Sequence, residues 1–289
     1  MRILCFGKDG LLSSELQHWL PELSAEALIF LGHSDCDITN PDQVNSAFET
    51  YRPSVVINAV AYTAVDQCED NEAEALSINA TALNTIVAAS NRYSATLIHF
   101  STDYVFDGQK QGPYDEDDVV NPINAYGRTK QMGDSIVING AKQFYILRVQ
   151  WVFGPAKPNF IETMVNLSQQ NDEVSVVSDQ IGSPTSTTSI SKAVVNLLHN
   201  MPAFGLYHFR TLNHCSWYDY ACFIFETLEL DIKVNPVAST QFNSKAKRPK
   251  NSVLNIAKWI YTDLYTPLSW KVDVANYLKI NRRKNNAIR

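Results

Sequence analysis

A chain of 289 residues that is 45% hydrophobic and 19% charged can build one domain with a large core or two unequal lobes, which excludes a disordered or fibrous protein. Its net charge of -6 offers no footprint for nucleic acid, and its one basic cluster, Asn281 to Arg289, reads as a solvated tail. Five scattered cysteines without metal-ligand spacing, and no apolar run long enough to span a bilayer, predict reduced thiols in a cytoplasm with neither metal nor membrane as partner.

In chain order, Met1 to Phe6 is a short apolar strand, followed at once by Gly7-Lys8-Asp9-Gly10-Leu11-Leu12-Ser13 and by helical spacing from Ser14 to Leu20. A glycine pair alone is more often a plain turn. Opening a strand-turn-helix unit, it lets the backbone approach a pyrophosphate whose charge the helix amides stabilise, so Gly7, Gly10, Leu11 and Leu12 are candidate cofactor contacts. Ser13 stands where a third glycine would favour close helix-strand packing.

Ala27 to Leu31 reads as a second strand, Pro53 to Asn58 as a third, Ala95 to Phe100 as a fourth and Phe144 to Val149 as a fifth. Between them, Asp42 to Tyr51, Glu72 to Arg92 and Ala125 to Asn139 have helical character. The alternation implies an α/β fold with a parallel, doubly wound sheet. Beyond Gly154-Pro155 the spacing becomes irregular and proline-punctuated. Residues 1–154 are therefore expected to form the dinucleotide-binding domain, joined by part of 180–205, with 155–289 mainly a smaller interwoven lobe that shapes the substrate side.

Ser101 and Thr102 fall just past the fourth strand, where open α/β sheets place ligands. Tyr126 and Lys130 are spaced to share one helix face, and a cation beside a phenol favours phenolate, drawing its pKa down toward the range of useful proton exchange. By itself the pair is more often a solvated contact. Beside Thr102, whose hydroxyl can hold a substrate oxygen, it predicts a proton-transfer site for carbonyl and alcohol chemistry, with hydride from a cofactor.

The succession Arg2 to Lys8, Val56 to Asp66, Ser101 to Phe106, Tyr126 to Lys130, Arg148 to Phe153, Asp179 to Thr185, Gly205 to Phe209 and Arg248 to Ser252 resembles the extended short-chain dehydrogenase/reductases. More narrowly it resembles the dTDP-4-dehydrorhamnose reductases of nucleotide-sugar biosynthesis, over nearly the whole chain to about residue 278. The resemblance implies a Rossmann-like sheet and NAD(P)H-dependent reduction of the C4 ketone of a nucleotide-linked 4-keto-6-deoxysugar. By that resemblance Tyr126 donates the proton, Lys130 holds the nicotinamide ribose and lowers the tyrosine pKa, Thr102 positions the ketone oxygen, and Asp103 and Trp151 contact the sugar. Trp151 as a plain core aromatic, and Asn79 as either a site amide or a helix-surface one, stay open.

Asp103 is followed by Tyr104 rather than Glu, which disfavours dehydration. His33, Asp37 and Ile38 are expected around the adenosine and Ala61, Tyr62 and Thr63 along the cofactor's middle. Gly32-His33 replaces the acidic residue of NAD-preferring relatives, which predicts NADPH with NADH as the alternative. Glu15 matches a Mg²⁺ ligand of some relatives, but Thr188 replaces a second carboxylate, so no metal site is expected. Gln150 replaces the family's usual Ser or Thr. The expected assembly is a monomer or homodimer. Two other classes remain: a non-catalytic regulatory subunit of the methionine adenosyltransferase β type, and a nucleotide-sugar epimerase.

Overall fold

The computed structural model describes residues 1–242 and 244–286, with side chains through residue 280. The basic segment Asn281 to Arg289 thus has its side chains outside the described residues. Strand β1 (Arg2–Phe6) leads through Gly7 into α1 (Leu11–Trp19), and β2 (Ala27–Leu31), α2 (Pro41–Tyr51) and β3 (Val55–Asn58) follow. The short helices α3 (Val65–Cys68) and α4 (Glu72–Leu76), a π turn at Ser77–Thr81, and α5 (Ala82–Tyr93) come next. Then β4 (Thr96–Thr102), α6 (Ala125–Gly140) and β5 (Phe144–Val149) complete the first half.

These five strands and a sixth, Gly205–His208, form one sheet in the order β2, β1, β3, β4, β5, Gly205–His208, every neighbouring pair parallel. The order reverses between β1 and β3. That switch point is where an open sheet leaves a crevice beyond its strand ends.

The strands read as continuous apolar runs because both faces of the sheet are covered. Along β1, Ile3 and Cys5 join one core with Leu16 of α1 and Ile190, Val194 and Leu197 of α8 (Thr187–Asn200), whereas Leu4 and Phe6 join the opposite core with Val44 and Phe48 of α2. Ser13, fully buried and 3.8 Å from Cys5 Sγ, is small enough to keep α1 close to β1 where a third glycine was absent. A third core binds Phe153, Ile161 of α7 (Phe160–Ser168), Tyr220 and Ile224 of α9 (Trp217–Leu228), and Trp270 and Val274. It covers a parallel pair of strands, Glu173–Val177 with Lys233–Val237. Trp151 and Trp217, packed against this third core, line the crevice at the end of the sheet, and no helix among the described residues is long and apolar enough to cross a membrane.

Candidate active site

Gly7 turns the chain with φ at +96°, and a Cβ there would press against the Ala59 backbone at 3.1 Å, so only glycine fits this close approach. Gly10 caps α1 without a side-chain bond, and the first turn carries no acid, which leaves its amides directed into the crevice with their charge uncancelled. This is a cradle shaped for a phosphate group.

Two clefts meet there. One, of 460 Å³, runs from Gly10, Leu11 and Leu12 past Thr102, Asp103, Tyr126, Lys130 and Trp151. The other, of 220 Å³, holds Gly7, His33 and Ile38, and the two share Gly10, Ala59, Ala61 and Lys157. Thr63 lines the first. A larger cavity of 860 Å³ lies behind α1, where Glu15 accepts hydrogen bonds from Thr188 at 2.8 Å and Trp19 at 2.9 Å; it touches none of the proton-transfer residues.

Two expected contacts face elsewhere. The Asp37 carboxylate accepts from the Thr39 amide at 2.9 Å and hydroxyl at 2.7 Å, so it closes its own turn instead of flanking the cleft. The Tyr62 phenol turns out toward Gln67 and its ring packs with Cys68 and Ala75; only its backbone belongs to the site. That backbone is clamped by Asn79, which accepts from the Tyr62 amide at 2.8 Å and donates to its carbonyl at 3.1 Å and to Thr129 at 3.0 Å. The π turn at Ser77–Thr81 aims Asn79 inward, so it is a buried positioning amide and not a surface one.

The reacting end is dry. Thr102 donates to Asp103 Oδ1 at 3.1 Å and accepts from the Tyr104 amide at 3.2 Å, which caps the turn Asp103–Val105. Its hydroxyl also bonds the Tyr126 phenol, which lowers that phenol's pKa, but burial outweighs the bond and holds the phenol above its ordinary value. Lys130 does not pull it down as expected. The Lys130 amine donates to the Phe100 carbonyl at 2.7 Å and lies 3.3 Å from His99 Nε2, and burial lowers its own pKa to about 8. The amine is directed to Phe100 and His99 and not to the phenol, so its charge does not offset the burial of Tyr126. Tyr126 therefore waits as a protonated acid.

Burial also raises the Asp103 carboxyl to about 7, against the lowering effect of hydrogen bonds from Ser252 and Thr102. A folded-state pKa above the unfolded one means that Asp103 supports folding fully below about pH 4, and loses that support as pH rises through the folded value near 7. Asp103→Asn is expected to gain stability relative to the parent as pH is raised from about 4 to 8. Urea unfolding of both proteins across that range checks it, and a difference independent of pH would refute it.

Trp151 sits at φ +44°, a strained setting for a bulky residue, and stacks on Trp217 with centroids 3.7 Å apart. The stack joins β5's end to α9 and forms the cleft wall. Over the other rim, Arg248 pairs with Asp66 at 2.7 Å and Asn124 donates to the Lys247 carbonyl at 2.7 Å, pinning the segment 246–252 across Tyr104. Arg248, Asn124, Trp217 and His99 were not singled out from sequence. For His99 a signal existed: a polar ring inside an otherwise apolar buried strand.

A protein-family model described as the RmlD substrate binding domain matches residues 1–283. The dTDP-4-dehydrorhamnose reductase of Aggregatibacter actinomycetemcomitans is 35% identical over 286 residues, 95% of this chain and 97% of that one. A dTDP-4-dehydrorhamnose reductase structure from Clostridium acetobutylicum superposes with a TM-score of 0.93 at 38% identity, covering 98% of this chain and all of the other. The Bacillus anthracis dTDP-4-dehydrorhamnose reductase, solved in complex with NADP, gives 0.92 at 33% identity over 96% of this chain and 98% of its own. With the glycine cradle, the switch-point crevice and the Thr102, Tyr126 and Lys130 cluster already in one cleft, the match over nearly the full length leads to one conclusion: this chain belongs to the dTDP-4-dehydrorhamnose reductase family of extended short-chain dehydrogenase/reductases.

Proposed function

We propose that the protein reduces the C4 ketone of a nucleotide-linked 4-keto-6-deoxysugar with NADPH, taking dTDP-4-dehydrorhamnose to dTDP-rhamnose in the cytoplasm. The observation that carries the reading is a single cleft running from the glycine cradle to a buried, protonated Tyr126 beside Thr102 and Lys130. Gly7, Gly10 and the first amides of α1 would hold the dinucleotide's phosphates, His33 and Ile38 its adenosine end, Ala61 and Thr63 its middle, and Lys130 the nicotinamide ribose. The bound nicotinamide supplies hydride.

Thr102 orients the ketone oxygen toward the phenol, and Tyr126 gives its proton to the oxygen as negative charge develops there. A phenol held above its ordinary pKa stays loaded at neutral pH. Asp103 and the Trp151 face hold the sugar, and the segment 246–252 with the Trp151–Trp217 stack excludes water. Tyr104, where a dehydratase would carry a second acid, is tied to Arg248. The assay is net oxidation of NADPH with dTDP-4-dehydrorhamnose and formation of dTDP-rhamnose. Cofactor binding without turnover would favour the regulatory-subunit reading, and sugar interconversion without net oxidation the epimerase.

The cleft that would take the cofactor's 2'-phosphate also carries an acid, Asp9. Gly32-His33 removes the usual acid from the end of β2, yet the Asp9 carboxylate lies against Gly32, and Asp35 accepts from the Gly32 amide at 2.9 Å. Two carboxylates from other positions would thus stand near the ribose end. Asp9→Asn is expected to lower the KM for NADPH several-fold while leaving that for NADH nearly unchanged, because only the phosphate feels the lost repulsion. Steady-state kinetics with both cofactors check this, and an equal change for the two would refute it.

A further inference from the structure

Behind Lys130 lies a buried polar chain that the reduction mechanism leaves unused. The Val60 amide donates to Asn58 Oδ1 at 3.2 Å, and this fixes which way the carboxamide faces. Asn58 Nδ2 then meets His99 Nδ1 at 3.3 Å, and His99 Nε2 meets Lys130 Nζ at 3.3 Å. Asn58, His99 and Lys130 are each no more than 1% exposed, so water does not arbitrate these contacts. An amide nitrogen only donates, so His99 Nδ1 must accept, and the neutral ring must carry its hydrogen on Nε2. That hydrogen points at Lys130. An ammonium has no lone pair to receive it, whereas a neutral amine does.

We infer that His99, oriented by Asn58, is a positioning residue that directs an N–H at Lys130 Nζ and thereby sets the pH at which Lys130 gains its charge. Charging Lys130 would require His99 to present a lone pair at Nε2, which means moving its hydrogen to Nδ1 and losing the Asn58 bond. The direction adds to the lowering that burial imposes on Lys130, and burial and proximity to Lys130 hold His99 well below its ordinary value, so the ring is a neutral imidazole.

Other groups around Lys130 do not supply this effect. Asp134, on its own helix, raises the lysine pKa and is itself paired with Arg148 of β5. Tyr126 on α6, Asp103 and Tyr104 of the turn after β4, and Cys68 of α3 are the remaining titratable groups around the Tyr126 end of this face. The consequence for turnover rests on the reductase reading. There Lys130 would hold the nicotinamide ribose, and the pH at which it carries charge would bound the alkaline side of turnover.

The test follows the Lys130 amine directly, by NMR titration of lysine-labelled protein, with Lys130→Arg assigning the resonance and neither cofactor nor substrate added. His99→Leu deletes the N–H. Asn58→Asp keeps the size and the Val60 bond but forces His99 to donate from Nδ1, so Nε2 becomes an acceptor. Both are expected to raise the Lys130 pKa by about one unit or more. The alkaline limb of the kcat profile should move up with it. An unchanged Lys130 titration in Asn58→Asp would overturn the inference even if His99→Leu failed to fold, and a shifted amine with an unmoved limb would overturn its part in turnover. Failure of the parent to reduce the keto sugar would sink the functional reading alone, since the titration needs no substrate.

Discussion

Tyr126→Phe is expected to lower kcat by a factor on the order of 10² or more, with cofactor affinity nearly unchanged. The phenylalanine ring keeps the edge contact with Tyr104, whose centroid is 5.9 Å away, so the change removes one hydroxyl and little packing. What goes is the proton that must reach the ketone oxygen in the transition state. No neighbour replaces it: the Thr102 hydroxyl, which bonds Asp103, the Tyr104 amide and the phenol itself, is too weak an acid, and the Lys130 amine is turned to Phe100 and His99. Turnover falls without a matching rise in KM, the signature of an interaction made only in the transition state. Cofactor titration by fluorescence together with steady-state rates checks both halves, and near-normal turnover would remove Tyr126 from the chemistry.

The sheet was legible because its strands are buried on both faces. Ala27–Leu31 and Phe144–Val149 appear in the structure at the bounds their apolar runs predict. The helix expected from Ser14 begins three residues earlier at Leu11, since Gly10 rather than Ser14 ends the turn. The stretch Glu72 to Arg92 reads as one helix, yet a π turn interrupts it at Ser77–Thr81, and that extra residue per turn is what directs Asn79 into the site. No local periodicity announces it; the Asn79 clamp on Tyr62 is a tertiary contact.

The sixth strand, Gly205–His208, belongs to a stretch that carries the family resemblance but gives no strand signal of its own, because four residues with no alternation are too short a pattern. At the site, residue types pointed to Tyr126, Lys130 and Thr102 correctly as neighbours of one cleft, whereas the sign of the phenol's shift was not readable. Spacing on a helix gives proximity, and burial, which sequence spacing does not measure, decides the balance.

Asp134→Ala is expected to destabilise the fold by about 3–5 kcal/mol, a large share of the roughly 5–15 kcal/mol that holds a domain together. Asp134 accepts from Arg148 Nε at 3.1 Å, both side chains are almost wholly buried, and the guanidinium also lies over the Phe106 ring and near His208. Removing the carboxylate strands a cation in the layer between α6 and the sheet. Removing both partners does not, so Asp134→Leu with Arg148→Met should recover most of the loss. Urea unfolding of the three proteins separates the cases, and a single variant costing less than about 1 kcal/mol would show that the pair anchors nothing. The same carboxylate is the anion that favours a charged Lys130, against burial and the His99 N–H. The double variant should therefore fold well yet show the Lys130 amine titrating below its parent value of about 8, with the alkaline limb of kcat moving toward acid. The ion pair that fixes α6 to the sheet and the imidazole of His99 on β4 would then pull the same amine in opposite directions, one restoring charge and the other withholding it.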